Sequence, residues 1–164
     1  STVEGRFSIM ESIFVFEGSP RDLGWEETVV FFNDSEIFNY DEPAGLIDLH
    51  SGVICMPDNY GKSNQQAGKK SKLRITHPAN FDLWSGLEQP TYESEKALWE
   101  ERILGNGMRY LKNGIQLLDY FSSQTTFRDT FTPRTIKKKR KAPVVLIVLF
   151  SVIAVATLGV LPII

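Results

Sequence analysis

The sequence predicts a mainly β protein: a seven-stranded barrel or sandwich capped by a helix, then an amphipathic helix and a C-terminal transmembrane helix. Three observations lead to this fold class. Short runs of β-branched and aromatic residues alternate with turn residues over the first half of the chain. Near residue 90 the apolar period lengthens from two to roughly 3.6 residues. Finally, residues 144–164 contain no charged side chain.

Seven short segments before residue 85 have the composition of strands. Each is bounded by Gly, Pro, Asn-Asp or a polar loop, of which the longest is 58–72. Many short strands separated by turn signals indicate a sandwich or a small barrel. The predicted strand segments are 9–16, 28–32, 37–40, 46–49, 53–55, 73–77 and 81–84.

A helix is predicted to close this domain, which we place at residues 1–104. Pro90 and Thr91 are typical of a helix start. Tyr92, Trp99 and Ile103 then follow helical spacing, with acidic residues between them.

Two stretches resemble the pleckstrin-homology (PH) domain family. Residues 25–54, WEETVVFFNDSEIFNYDEPAGLIDLHSGVI, look like the second to fourth PH strands. Residues 73–103, LRITHPANFDLWSGLEQPTYESEKALWEERI, look like the last two strands and the closing helix. The resemblance covers residues 5–104. It implies a barrel that the closing helix plugs at one end through Trp99.

Many PH domains bind phosphoinositide headgroups through several cations on the first two strands and the loop between them. Here the matching segment offers only Arg21, and Glu26 and Glu27 stand where basic residues often follow the Trp. Because carboxylates repel a polyphosphate, we expect no specific phosphoinositide binding.

A second basic group lies in and after the late polar loop. We leave two interpretations open: a solvated loop, or a contact with anionic lipid or an acidic protein partner. Aromatic residues are not interleaved with these cations, so nucleic acid is not an expected partner. The group consists of Lys62, Lys69, Lys70, Lys72 and Arg74.

Residues 105–121 carry an apolar stripe with helical spacing, formed by Met108, Leu111, Ile115 and Leu118. Gly114 is expected to weaken this amphipathic helix. It could pack back on the domain, pair with a partner helix or lie in a membrane surface. Residues 122–143 are Ser/Thr-rich and then basic, and they are predicted to be a tether without regular structure.

Residues 144–164 are predicted to be a transmembrane anchor. Fifteen of these 21 residues are Leu, Ile, Val or Phe, and a helix of this length spans roughly 30 Å. The basic flank predicts that the preceding chain faces the cytosol, as in tail-anchored proteins, with the endoplasmic reticulum or a later secretory membrane favoured. The flank consists of Lys137, Lys138, Lys139, Arg140 and Lys141.

Catalytic and metal-binding patterns are weak. One cysteine and two histidines argue against a disulfide framework and against cysteine- or histidine-rich metal sites. Asp48, His50 and Ser51 are the residue types of a hydrolytic triad, but neighbours on a strand point to opposite faces. We therefore expect no catalytic residue, no metal and no cofactor.

The sequence thus predicts a non-catalytic adaptor that holds a protein-binding module at a membrane. Two alternatives remain open: an accessory subunit of a membrane enzyme or transport complex, and a lipid-sensing module at membrane contacts. The expected partners are a membrane and at least one protein.

Overall fold

The computed structural model describes residues 7–36, 41–60 and 70–135. Five strands and three helices make up this part, together with two 3₁₀ turns at Pro20–Leu23 and Pro57–Asn59. The strands are β1 (Phe7–Glu17), β2 (Val29–Asn33), β3 (Ser51–Cys55), β4 (Lys70–Asn80) and β5 (Thr125–Phe131). The helices are α1 (Phe81–Gly86), α2 (Gln89–Met108) and α3 (Gly114–Gln124).

The five strands form one antiparallel sheet in the order β2-β3-β4-β1-β5. The two central strands, β1 and β4, pair over their whole length, from Phe7 opposite Asn80 to Glu17 opposite Lys70. Since side chains alternate along a strand, the sheet has two distinct faces. We call the face that carries Met10, Phe14 and Ile75 the inner face, because these side chains are fully buried. The opposite face is the outer face.

Helices α2 and α3 pack on the inner face and complete the core. Phe121 of α3 lies against Phe14, Phe16 and Trp25, with ring centroids 6.1, 5.0 and 5.7 Å away. The buried hydrophobic residues of the described chain all lie between Met10 and Phe121.

The predicted seven-stranded barrel is wrong: the described residues form a single open sheet of five strands. Residues 81–84, predicted as the seventh strand, instead begin α1, where the Asn80 side chain caps the helix by accepting from the Leu83 amide at 2.9 Å. A short apolar run does not distinguish strand from helix, and here the cap decides. Segment 46–49 contributes only an isolated bridge between Ile47 and Ala79. Segment 37–40 lies outside the described residues.

The sequence Gly105-Asn106-Gly107 predicts an interruption of the closing helix, but α2 continues through these residues to Met108. Tertiary contacts hold this turn helical: the Asn106 amide donates to the carbonyl of Leu49 at 2.9 Å, and Gly107 packs closely on Ile75. The tether segment contains β5, which pairs with β1 and forms one edge of the sheet. Its polar residues thus lie in a strand that composition alone did not indicate.

No helix within the described ranges is long and apolar enough to cross a membrane. The transmembrane helix of the predicted fold class is therefore not found in that part of the chain. The predicted anchor, 144–164, and its basic flank, 137–141, lie outside the described residues.

Candidate functional site

The outer face of the sheet is the candidate site, because large apolar side chains remain exposed on it. Phe31 on the edge strand β2 is 78% exposed, and Ile9 on β1 is 38% exposed. The register explains the position of Phe31. Its neighbour Phe32 is buried and stacks on Tyr110 at a centroid distance of 4.0 Å, so alternation turns Phe31 outward.

An apolar depression of about 440 Å³ lies at one end of this face. Ile9 stands opposite Pro78, Phe31 opposite Val53, and Val53 opposite Thr76, so four strands contribute to it. No Asp, Glu, Lys or Arg of the described ranges lines it. The depression therefore suits an uncharged apolar group. Its lining consists of Ile9, Phe31, Phe32, Asn33, Ser51, Gly52, Val53, Thr76, His77 and Pro78.

The structure places three of the predicted basic residues on the same outer face, at alternate positions of β4. Lys70 and Lys72 are exposed, and neither has a carboxylate within ion-pair distance among the described residues. Arg74 differs, because it pairs with Glu11 at 2.6 Å. Lys62 and Lys69 lie outside the described residues.

Arg21, the only cation of the PH-like headgroup segment, has a structural contact. Its guanidinium donates to the carbonyl of Asn59 at 3.1 Å. The Asn59 amide in turn donates to the carbonyls of Trp25 and Glu27. These bonds join the loop after β1 to the 3₁₀ turn after β3.

Trp99 is half-buried on the surface of α2 and does not plug a barrel. Its indole N–H donates to Glu95 at 3.0 Å, and the Arg102 guanidinium lies 4.8 Å from the ring centroid. The fully buried tryptophans are Trp25 and Trp84, whose indole N–H groups donate to the carbonyls of Lys112 and Leu46. The sequence did not indicate that Trp25 and Trp84 are the buried tryptophans, because burial depends on tertiary contacts that the local sequence does not show.

A polar cluster joins the ends of β2 and β3 to the turn after α2. Asp34 contacts the His50 ring at 2.7 Å and accepts from the Tyr110 hydroxyl at 2.9 Å. The hydrogen bond with His50 is the largest cause that lowers the pKa of Asp34, and the hydrogen bond from Tyr110 is the second. The Ser51 hydroxyl donates to Asp48, whereas the His50 ring contacts Asp34, so the triad residue types are not assembled into a triad. No group of three potential metal-ligating side chains occurs in the described ranges.

His77 is a buried histidine on the inner side of β4. Its Nδ1 lies 2.9 Å from the Ser51 carbonyl and 3.1 Å from the Asp48 carbonyl, so Nδ1 is the protonated nitrogen that donates. Its Nε2 is buried and has no partner among the described residues. Burial lowers the pKa of His77 despite the raising effects of both carbonyls and of the Asp48 carboxylate.

We expect this histidine to make the fold less stable in mild acid. The unfolded chain takes up the proton near pH 6.5, whereas the folded chain resists it to lower pH. The free energy of unfolding should therefore fall as the pH drops through about 6.5. His77→Asn keeps a donor near the Nδ1 position without a titrating ring. Urea unfolding of both proteins from about pH 8 to pH 5 should show a steeper loss for the wild type. Parallel curves would contradict this prediction.

The outer face therefore combines, among the described residues, an open apolar depression with two lysines, Lys70 and Lys72, that have no ion-pair partner there. The polar cluster and His77 instead hold the ends of the strands that support it. Comparison of the chain with protein-family models, curated proteins and solved structures gives no match, so the functional assignment depends on this geometry.

Proposed function

We propose that residues 7–135 form a non-catalytic protein-binding module that docks a partner on the apolar depression of the outer face. The observation that carries the proposal is the 78% exposure of Phe31 beside a depression of about 440 Å³. Contiguous apolar surface that is left open on a folded domain is typical of interaction sites. Aromatic side chains also dominate the energetics of many interfaces.

The lining defines the chemistry of the partner. Because no charged side chain of the described residues faces the depression, a charged group that entered it would lose water without gaining an ion partner. The partner should therefore present an aliphatic or aromatic side chain. Lys70 and Lys72 lie farther along β4. They would favour a partner with acidic residues next to the apolar side chain that enters the depression.

Photo-crosslinking in cells tests the proposal on a chain that ends at residue 135. A benzophenone-bearing phenylalanine analogue at position 31 should give a discrete adduct with another protein. The same analogue at Tyr120, which is 53% exposed on α3, is the matched control. Equal adduct yields at the two positions, or none at position 31, would overturn the proposal. Loss of the adduct partner from co-purification with Phe31→Asp would support it.

The subunit alternative makes a different physical prediction. An obligate subunit should aggregate when it is separated from its larger partner, because its contact surface is then permanently open to water. A binding module should stay monodisperse over a wide concentration range. Sedimentation of the chain ending at residue 135 distinguishes these two behaviours.

We further expect no stereospecific binding of phosphoinositide vesicles by this chain. The Arg21 guanidinium donates to the carbonyl of Asn59, and the side chains of Glu26 and Glu27, a few residues later in the same segment, are exposed. Vesicles of equal charge that contain phosphatidylserine should bind equally well, and binding should weaken steeply above about 0.1 M salt. Neutralising Lys69, Lys70 and Lys72 together should remove it. Micromolar, headgroup-specific co-sedimentation that is lost in Arg21→Ala would contradict this expectation.

A further inference from the structure

We infer that the free edge of β2 binds an extended segment of the partner protein, which pairs with β2 as an added strand. The inference rests on the proposed function and deepens it, because it assigns the conformation of the partner's main chain beside the depression. Two observations carry it: the backbone groups that β2 presents to solvent, and the charges at the two ends of this strand.

The register of β2 shows which of its backbone groups face away from the sheet. The Met56 amide donates to the carbonyl of Thr28 at 2.8 Å, and the Asp34 amide donates to the carbonyl of His50 at 2.9 Å. Hydrogen-bonded and non-hydrogen-bonded pairs alternate along an antiparallel ladder. The even-numbered residues of β2 therefore bond to β3, and the odd-numbered residues direct their N–H and C=O groups to the edge of the sheet.

This edge is open in the part of the chain that the structure describes. β2 is the outermost strand, and no described residue bonds to the backbone N–H or C=O of Val29 or Phe31. A segment that binds there gains most if it is extended, because its own backbone donors and acceptors then match those of β2. The unpaired backbone groups thus define the conformation of the occupant.

The opposite edge of the sheet is protected. β5 carries Arg128 and Asp129, which pair with Glu100 and Lys96 of α2, both at 3.1 Å. In contrast, β2 contains no charged residue, no proline and no shift of register against β3. Charged side chains on an edge strand oppose the addition of another strand, whereas a regular apolar edge favours it. We therefore assign strand addition to β2 and not to β5.

An added strand would place one of its side chains beside Phe31. The residue directly opposite Phe31 would project to the same outer face, with its Cβ about 5 Å from that of Phe31. This side chain would extend the apolar wall that Phe31 and Val53 form. It should therefore be aliphatic or aromatic.

Acidic residues lie at both ends of β2. Glu26, Glu27 and Glu36 are exposed, and none has an ion-pair partner among the described residues. Antiparallel pairing of β2 with a second copy about its centre would set Glu26 opposite Glu36, so like charge opposes self-pairing. The added strand should instead carry Lys or Arg at both ends. Acidic residues that contact Lys70 and Lys72 would come from another part of the partner, because β4 lies two strands from this edge.

The experiment measures the binding of a fluorescent peptide to the full chain, which is kept in solution by a mild non-ionic detergent. The peptide has two lysines at each end and Thr-Val-Leu-Val-Thr between them. Val29→Pro removes one outward N–H of β2, and Val29→Ala is the matched control that shortens the side chain but keeps the N–H. Fluorescence anisotropy should show about ten-fold weaker binding to Val29→Pro than to Val29→Ala. A peptide with glutamates in place of the lysines should bind less tightly to both variants.

Equal affinities of the two variants, or no binding to the wild type at millimolar peptide, would overturn the inference. Tighter binding of the glutamate peptide would also overturn it, and so would a dimer of the full chain that Val29→Pro dissociates. Urea unfolding should give similar stabilities for the two variants, because a proline at an outward position removes no bond to β3. A much less stable Val29→Pro would place this N–H in the ladder and contradict the register.

The peptide assay and the crosslinking test of the proposed function can fail separately. The peptide assay uses no cellular partner, so it reports only on the edge of β2. Crosslinking at position 31 needs contact with a partner but no added strand.

Discussion

Trp25→Ala should lower the free energy of unfolding by about 3–5 kcal/mol, the cost of removing a large buried aromatic side chain. Trp25 is fully buried, and its indole N–H donates to the carbonyl of Lys112 at 3.0 Å. Its ring also contacts Phe16 of β1 and Phe121 of α3. The change would leave a cavity between sheet and helix and an unpaired carbonyl before α3. Urea unfolding followed by circular dichroism measures the loss without depending on tryptophan fluorescence.

Trp99→Ala is the matched control, because it removes the same side chain from a half-buried position. We expect a loss of about 1–2 kcal/mol, since part of the ring already contacts water and its N–H donates to Glu95 on the same helix. A loss for Trp99→Ala as large as that for Trp25→Ala would contradict the described packing.

Gly114→Ala should destabilise the protein by about 2–3 kcal/mol or more, as expected for an added methyl group that meets backbone. A Cβ at this position would clash with the carbonyl oxygen of Met108 and would lie 3.2 Å from the Cβ of Leu111. Neither neighbour is the far end of a flexible side chain. The turn between α2 and α3 must therefore open to make room, which would move Phe121 relative to the sheet.

Gly105→Ala provides the control of opposite sign. Gly105 lies inside α2, and a methyl group added there would meet no atom within 4 Å, so alanine adds helix propensity without a clash. We expect a gain of about 0.5–1 kcal/mol. Thermal or urea unfolding of both variants should therefore give shifts in opposite directions. Stabilisation by both would mean that the helix-to-helix turn is looser than described.

Each element that was predicted correctly has a sequence pattern that can be seen within a few neighbouring residues. Segment 9–16 is rich in apolar residues and lies in β1. Segment 28–32 is rich in β-branched and aromatic residues and overlaps β2, and segment 73–77 alternates and lies in β4. The start of α2 was also predicted, because Pro90 is typical of the first turn of a helix. The errors occur where long-range contacts decide. β5 exists because Thr125–Phe131 pairs with β1, more than a hundred residues earlier.

The candidate site was predictable only in part. Alternation alone predicts that Lys70, Lys72 and Arg74 share one face of β4. It does not predict that Glu11, from a distant part of the chain, neutralises Arg74. Nor does it predict which of Phe31 and Phe32 is exposed, because that choice depends on Tyr110 packing on Phe32.

The sequence by itself determined where most strands and the long helix lie, since period and turn residues are local properties of the backbone. It also determined the uncharged run at 144–164 and the single cysteine. Only the tertiary structure decided that the sheet of the described residues stays open and which of its faces those residues leave uncovered. The physical reason is that α2 and α3 can bury one face only, and the packing of Phe121 and Trp25 against β1 selects it. The other face, with Phe31, is thereby left exposed.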